Sequence, residues 1–139
     1  MRLFMCAIVA LFFGTVAGAE VSVEYHAETS SEILIVEKWK PVIGAGGGIS
    51  VEVTLKNNYV NSIRMTNAYL VFEDALGQRV LSLNADTDEL IEAGADFFDT
   101  YYTGHSHNRI TRLNPEDVGA VIWVVGFVEV NGTVVRFDE

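Results

Sequence analysis

The sequence is poor in cysteine. Its one cysteine, Cys6, lies in an N-terminal segment with the pattern of a secretory signal peptide: a basic start at Arg2, an apolar run over residues 3–13 and the small-x-small motif Ala17-Gly18-Ala19. We therefore expect cleavage after Ala19, which leaves a mature chain without a thiol. Such a chain has no disulfide, no thiolate nucleophile and no cysteine-ligated metal, so its core alone must stabilise it.

Long apolar runs are also missing. The N-terminal run is shorter than the roughly 20 residues that a membrane-spanning helix needs, and Gly14 and Gly18 interrupt it. Residues 1–19 are thus predicted to be a signal peptide, with no membrane span after its removal. Subtracting these 19 residues from 139 leaves 120, and we expect residues 20–139 to form a single domain.

Basic residues are scarce. The chain has 9 Lys and Arg against 19 Asp and Glu, a formal net charge of −10, and loss of Arg2 with the signal peptide makes it −11. This charge repels phosphate backbones and anionic lipid headgroups, so nucleic acid and membrane surfaces are excluded as partners. We expect an exported protein, periplasmic or extracellular, with another envelope or extracellular protein as its partner. The sequence leaves the oligomeric state open.

Alternation of apolar and polar residues is the clearest structural signal. Residues 49–56 alternate without an error, as a strand with one buried face requires. The segment Asn67–Glu73 is rich in aromatic and branched residues, and the tight turn Asp74-Ala75-Leu76-Gly77 links it to a third strand over Arg79–Leu83. The region is predicted to be an antiparallel meander.

The remaining segments complete an all-β chain. We predict strands over Val21–Tyr25, Ile33–Trp39, Phe97–Tyr102, Arg109–Leu113 and Ala120–Val130. Of these, Ile33–Trp39 is expected to be an interior strand, and Ala120–Val130 a central one with both faces covered. We also predict a glycine-rich loop over 44–48, a one-turn helix after Asn114 and a hairpin at Asn131-Gly132. Residues 86–94 fit either a short helix or a loop that leads to a short strand.

These elements predict an antiparallel β-sandwich with immunoglobulin-like or related Greek-key topology. The core residues that we predict are Val51, Val53, Leu55, Leu70, Phe72, Trp123 and Val125.

The order of motifs resembles a known type of domain. The strand and turn Val53–Asn58, the segment Val71–Gly77, the acidic stretch that ends in Glu92-Ala93-Gly94 and the final hairpin are similar to small exported bacterial immunoglobulin-like domains of the FxLYD and telokin-like type. The resemblance covers roughly residues 49–137. It implies a non-catalytic envelope or extracellular module.

Three polar motifs resemble parts of catalytic or metal-binding sites, but each lacks residues that such a site requires. The run Gly104-His105-Ser106-His107-Asn108 has a serine where a nucleophile elbow does, but its last glycine and the following helix are missing. His105 and His107 form a His-x-His pair that could bind a transition metal with a third ligand such as His26. Asn84, Asp86 and Asp88 alternate like the start of a calcium loop, but Glu89 and Ala95 stand where its Gly and Glu belong.

Aromatic residues provide a further alternative. Trp39, Tyr101 and Tyr102 could form a sugar-stacking platform, although aromatic residues in strands more often lie in the core. No nucleophile–base pair and no cofactor motif is present, so the sequence predicts a non-catalytic binding or structural module that needs no cofactor. Protein interaction is the favoured role. The alternatives are a secreted carbohydrate-binding module and a low-affinity metal-binding protein that uses His105 and His107.

Overall fold

A computed structural model describes residues 23–26, 30–105 and 109–137. The predicted signal peptide lies outside these residues. In the described part the chain forms eight strands, one short α-helix and two 3-10 turns, with these bounds: β1 Val23–His26, a 3-10 turn Ser30–Glu32, β2 Leu34–Ile43, β3 Ile49–Asn57, β4 Ile63–Asp74, β5 Arg79–Asn84, β6 Asp96–Gly104, α1 Arg109–Arg112, a 3-10 turn Pro115–Asp117, β7 Val118–Glu129 and β8 Val134–Phe137.

The strands form two sheets that pack face to face. One sheet has five strands in the order β1-β8-β7-β4-β5, and the other has three in the order β2-β3-β6. All pairs are antiparallel except β1 with β8. One hydrophobic core lies between the sheets. The predicted all-β sandwich is therefore confirmed, whereas the immunoglobulin-like topology stays a prediction.

Strict alternation places β3 in the middle of the smaller sheet. Val51, Val53 and Leu55 are 0–1% exposed, and the residues between them face outward and are half-buried. Leu70 and Phe72 of β4 are fully buried on the opposite side of the core. These five core predictions are confirmed.

The turns follow their sequence chemistry. Gly77 has a positive φ of 75°, and the Asp74 carboxylate accepts hydrogen bonds from the backbone N–H groups of Leu76 and Gln78. Gly132, with φ of 92°, closes the hairpin between β7 and β8. The Asn114 side chain caps the 3-10 turn by accepting from the N–H of Glu116 at 3.4 Å. The predicted turn, hairpin and capped helical turn are confirmed.

Four predictions about elements and core residues need correction. The strand that begins at Leu34 is an edge strand and not an interior one; its register shifts between Val36 and Lys38, and Pro41 has no N–H to donate to a second neighbour. Residues 109–112 form α1 instead of a strand. There a single buried side chain, Ile110, anchors the turn, and Arg109 forms an ion pair with Asp74.

The other two corrections concern β7. It lies centrally in its sheet, as predicted, but only one of its faces is covered: Trp123 is 44% exposed and is not a core residue. Val125 is half-buried at a bulge, where β7 contributes one residue more than β4.

The ambiguous residues 86–94 form neither a helix nor a regular strand. They run beside β4, with isolated bridges from Thr87 to Thr66 and from Ile91 to Ile63, before the chain crosses to the smaller sheet as β6.

Candidate functional site: an apolar stripe on the five-stranded sheet

Apolar side chains form most of the outer face of the two central strands of the larger sheet, where the exposed Asn67 interrupts them between Met65 and Tyr69. The register pairs Met65 with Val128, Tyr69 with Trp123 and Val71 with Val121. Paired residues of adjacent strands lie on the same face of a sheet, and these three pairs lie on the side away from the core. We call this set of residues, together with the bulged Val125, the apolar stripe. Apolar surface at the centre of a sheet face marks an interaction site more often than scattered single residues do.

An aromatic pair crosses the middle of the stripe. Tyr69 and Trp123 are opposite each other on adjacent strands and are 46% and 44% exposed. Residues directly opposite each other on adjacent strands are close enough for large side chains to interact on one face. Val71 beside them is only 7% exposed. The pair forms an aromatic ridge at the middle of the stripe.

Two depressions flank this ridge, and a glycine lies in each. On one side a concavity of about 620 Å³ has Met65, Val125, Gly126 and Val128 in its lining. On the other side a groove of about 200 Å³ lies over Gly119, between Val71, Val121 and Trp123. Glycine weakens a strand, and it often marks a point where another molecule approaches the backbone closely.

The two glycines differ in the space around them. A Cβ at Gly119 would have only the Glu73 carbonyl oxygen nearby, at 4.0 Å, whereas a Cβ at Gly126 would lie 3.0 Å from the Val135 carbonyl oxygen. The Gly119 groove can therefore be filled by substitution without disturbing the sheet. Gly126 is required by the fold itself.

Charged residues border the stripe. Asp86 and Asp88 lie at the edge of the larger concavity on the β5 side, and Arg136 lies on the β8 side. The Asp86 carboxylate accepts a hydrogen bond of 2.9 Å from the N–H of Ala68, which fixes its position. Glu73 lines the smaller groove. Arg79 of β5 is paired with Glu73 on the same face, so the rims carry three carboxylates and two guanidinium groups.

The backbone groups under the stripe point along the sheet and not out of its face. In β4, Ile63–Asp74 pairs with β7 and Tyr69–Glu73 with β5, whereas β8 pairs with β7 over Gly126–Val128. Because the hydrogen bonds between strands lie in the plane of the sheet, a partner on the outer face must bind through side chains.

The predicted sugar platform is divided between two environments. The Trp39 ring lies against Phe72 in the core, with a centroid distance of 5.0 Å, and Tyr101 packs on the same core. Tyr102 faces outward and is 64% exposed. Successive residues of a strand point to opposite faces, so Tyr101 and Tyr102 cannot form one surface. The other exposed aromatic residue of β6 on this outer face is Phe98, which lies beyond Thr100 and which sequence reasoning did not select.

Tyr101 has an unusual hydroxyl. This oxygen is buried and has no hydrogen-bond partner among the described residues. Burial raises the pKa of Tyr101 well above 10, and the nearby negative charge of Asp99 raises it further.

The histidines are only partly described. His105 is exposed, and its ring lies beside the glycine-rich loop at Gly47. His107 and Ser106 lie outside the described residues, and of His26 only the backbone is described, in β1. Residues 23–26, 30–105 and 109–137 contain no group of three or more His, Cys, Asp or Glu that could hold a metal ion. Metal binding by His105, His107 and His26 stays a prediction.

Asn84 and Asp86, whose spacing resembles the start of a calcium loop, accept hydrogen bonds from nearby backbone N–H groups. Asn84 accepts from the N–H of Asp86 at 2.8 Å, and Asp86 accepts from Ala68. These bonds fasten the start of the crossing segment to β4.

Sequence reasoning missed the apolar stripe, because a continuous apolar run such as residues 120–130 reads as a strand buried on both faces. One signal was available. Gly119 and Gly126 flank an unbroken run of branched and aromatic residues, and glycine inside a strand is unusual without a reason.

Comparison with known proteins gives only distant structural likenesses. No family model matches the chain, and no curated protein matches it. The X-ray structure of structural genomics target SoR45 is 13% identical, with a TM-score of 0.39 over 75% of this chain and 80% of that one. The crystal structure of Campylobacter jejuni cj0090 is 17% identical, with a TM-score of 0.31 over 74% of this chain and 97% of that one. The resemblance to FxLYD and telokin-like domains stays a prediction.

No helix in the described part of the chain is long and apolar enough to cross a lipid bilayer.

Proposed function

We propose that the protein is an exported, non-catalytic module that binds another protein of the cell envelope or extracellular space through the apolar stripe. The observation that carries this proposal is the exposed Tyr69–Trp123 pair, which lies on the outer face of β4 and β7, the two adjacent strands at the centre of the larger sheet. Aromatic residues and Met are enriched at the centres of protein interfaces, and charged residues are depleted there. The stripe has this composition, with its charges at the rim.

The chemistry of the stripe supports binding over catalysis. Its side chains are valines, a methionine and two aromatic residues, none of which is paired with a general base, and the carboxylates at its rim are engaged by a backbone N–H or face solvent. The predicted signal peptide and the net charge of −10 support an exported, soluble protein.

Site-specific photo-crosslinking in living cells tests the proposal. A photoreactive phenylalanine analogue at position 123 should give a discrete protein adduct, because it replaces an exposed side chain at the centre of the stripe. The same analogue at position 98 is a matched control, since Phe98 is 61% exposed on the outer face of the other sheet. The absence of an adduct at position 123, or equal adducts at both positions, would contradict the proposal.

Binding of a carbohydrate is a second candidate function, on a different face. Phe98 and Tyr102 are exposed on the outer face of the three-stranded sheet, with Thr100 between them. All three lysines of the chain, Lys38, Lys40 and Lys56, lie on this face. Lys40 forms an ion pair of 2.7 Å with Glu52. Aromatic rings beside cations suit acidic sugars. Retention on immobilised acidic polysaccharide, lost in Phe98→Ala and Tyr102→Ala but kept in Trp123→Ala, would support this function.

A further inference from the structure

From the shape and charge of the apolar stripe we infer that its partner presents an amphipathic helix with basic residues along its flanks. This inference rests on the proposed protein-binding function and specifies the segment that is bound.

The direction of the backbone hydrogen bonds in β4 and β7 limits what can bind. These bonds lie in the plane of the sheet, so a segment bound on the outer face receives no main-chain hydrogen bonds from the stripe. An extended peptide laid on this face would leave its own N–H and C=O groups unpaired where the stripe excludes water. A helix pairs its backbone groups internally and offers only side chains.

The dimensions of the stripe fit one helix. Adjacent strands lie about 4.8 Å apart, so with their side chains two strands present a band roughly 10 Å wide, close to the 10–12 Å diameter of a helix. From Met65 to Val71 the stripe extends six residues along β4, about 20 Å at roughly 3.3 Å per residue. A helix of about 13 residues covers this length at 1.5 Å per residue.

The rims exclude a wider partner. A second sheet laid over the face would extend beyond two strands and would cover Asp88 on one side and Arg136 on the other. Removing these charges from water without partners is strongly unfavourable. A helix lies between the rims and leaves both charges in solvent.

The two depressions set where the helix inserts its side chains. They lie on either side of the Tyr69–Trp123 ridge, one over Gly119 and one beside Gly126. Large apolar side chains near the two ends of the helix would fill them, and smaller residues would pass over the ridge.

The charges indicate a basic helix. The carboxylates of Asp86, Asp88 and Glu73 outnumber the guanidinium groups of Arg136 and Arg79 at the rims, and the whole chain has a net charge of −10. Complementary charge on the partner accelerates association and orients the helix, and salt weakens this effect.

Binding of three labelled 18-residue peptides to the purified protein, followed by fluorescence anisotropy, tests the inference. The first peptide is an amphipathic Leu/Lys helix. The second has the same composition in strictly alternating order, which favours a strand, and the third is an amphipathic Leu/Glu helix. We expect the first to bind at least tenfold more tightly than either of the others. Equal or tighter binding of the alternating peptide or of the Leu/Glu peptide would overturn the inference.

A pair of glycine variants locates the binding site. Gly119→Leu fills the smaller groove without a clash and should weaken binding of the Leu/Lys helix at least tenfold. Gly46→Leu, in the loop between β2 and β3 with no atom within 4 Å of its Cβ position, should leave binding unchanged. Unchanged binding in Gly119→Leu would overturn the inference.

The peptides and the crosslink at position 123 separate the two proposals. If no peptide binds but position 123 still gives a protein adduct, the helix inference is wrong and the protein-binding function stands. If the adduct is also absent, both are wrong.

Discussion

At the scale of single residues, the adjacent Tyr101 and Tyr102 show how β-strand geometry separates like side chains. The register pairs Tyr101 with Val51, whose side chain is fully buried, and Tyr102 with Ser50 on the outer face. The sequence of β6 alone could not decide between them, because Phe97 and Phe98 give it aromatic residues on both faces. The strict alternation of β3 decides it, once the two strands are paired.

Tyr101→Phe should leave the free energy of unfolding at pH 7 unchanged or raise it by up to about 1 kcal/mol, because it removes a buried hydroxyl that has no partner in the described structure. The unfolded chain releases this proton near pH 10, while the folded protein, with its raised pKa, retains it. The wild type should therefore lose stability as the pH rises above 10, and the difference from Tyr101→Phe should widen.

Urea denaturation at pH 7 and at several values from about pH 9 to 11 measures this difference. Tyr102→Phe is the control at pH 7, with an expected change within about 0.5 kcal/mol because its ring is exposed. A loss of more than about 1 kcal/mol in Tyr101→Phe at pH 7 would show that the hydroxyl has a stabilising partner. A difference from wild type that does not grow at alkaline pH would show that the pKa of Tyr101 is not raised in the folded protein.

At the scale of elements, the sequence is most informative where local chemistry determines the conformation. The alternation of β3, the turn at Gly77 and the hairpin at Gly132 all follow from residue type and spacing. The edge position of β2, the helix α1 and the irregular crossing segment depend on contacts with distant residues. Arg109, for example, reaches Asp74 in the β4–β5 turn, and no pattern within residues 109–113 contains that partner.

The connection between β3 and β4 provides a test at this scale. Asn57 is fully buried, and its side chain accepts from the N–H of Tyr59 at 2.9 Å and donates to the carbonyl oxygens of Asn61 and Ile91, each at 3.1 Å. It joins the β3–β4 connection to the segment that leads into β6.

Asn57→Ala should lower the free energy of unfolding by about 2–4 kcal/mol, since it leaves one N–H and two carbonyl groups without this partner. Its neighbour Asn58 is exposed and makes one side-chain bond, of 3.2 Å to the Glu32 carbonyl oxygen, so Asn58→Ala should cost less than about 1 kcal/mol. Chemical denaturation of the two variants decides the matter. Similar losses in both would mean that the Asn57 bonds contribute little to holding these elements together.

At the scale of the whole molecule, composition predicts the class of fold but not the candidate site. An all-β sandwich follows from short alternating segments and frequent turns. The apolar stripe exists only because the β4–β7 register places Tyr69 beside Trp123 and because the smaller sheet covers one face of the larger sheet and leaves the other open. A covered face and a binding face have the same apolar composition, so the sequence cannot distinguish them.

Net charge and the stripe should together control self-association. At neutral pH a charge of −10 keeps copies of the chain apart, and this repulsion disappears near the isoelectric point of about 4.6. We expect the purified protein to associate reversibly near pH 4.6 through the stripe, because Trp123, Tyr69 and Val121 are exposed together on the two central strands of the larger sheet.

Trp123→Gln should weaken this association at least about tenfold, since covering a large aromatic side chain contributes more than about 1.4 kcal/mol. Phe98→Gln removes a more exposed aromatic residue (61% against 44% for Trp123) from the other sheet and should associate like the wild type. Sedimentation velocity at pH 4.6 and pH 7 compares the three proteins. If Phe98→Gln stays monomeric at pH 4.6 and Trp123→Gln does not, the protein associates through the outer face of the three-stranded sheet. The apolar stripe is then not the surface through which this protein preferentially makes contacts.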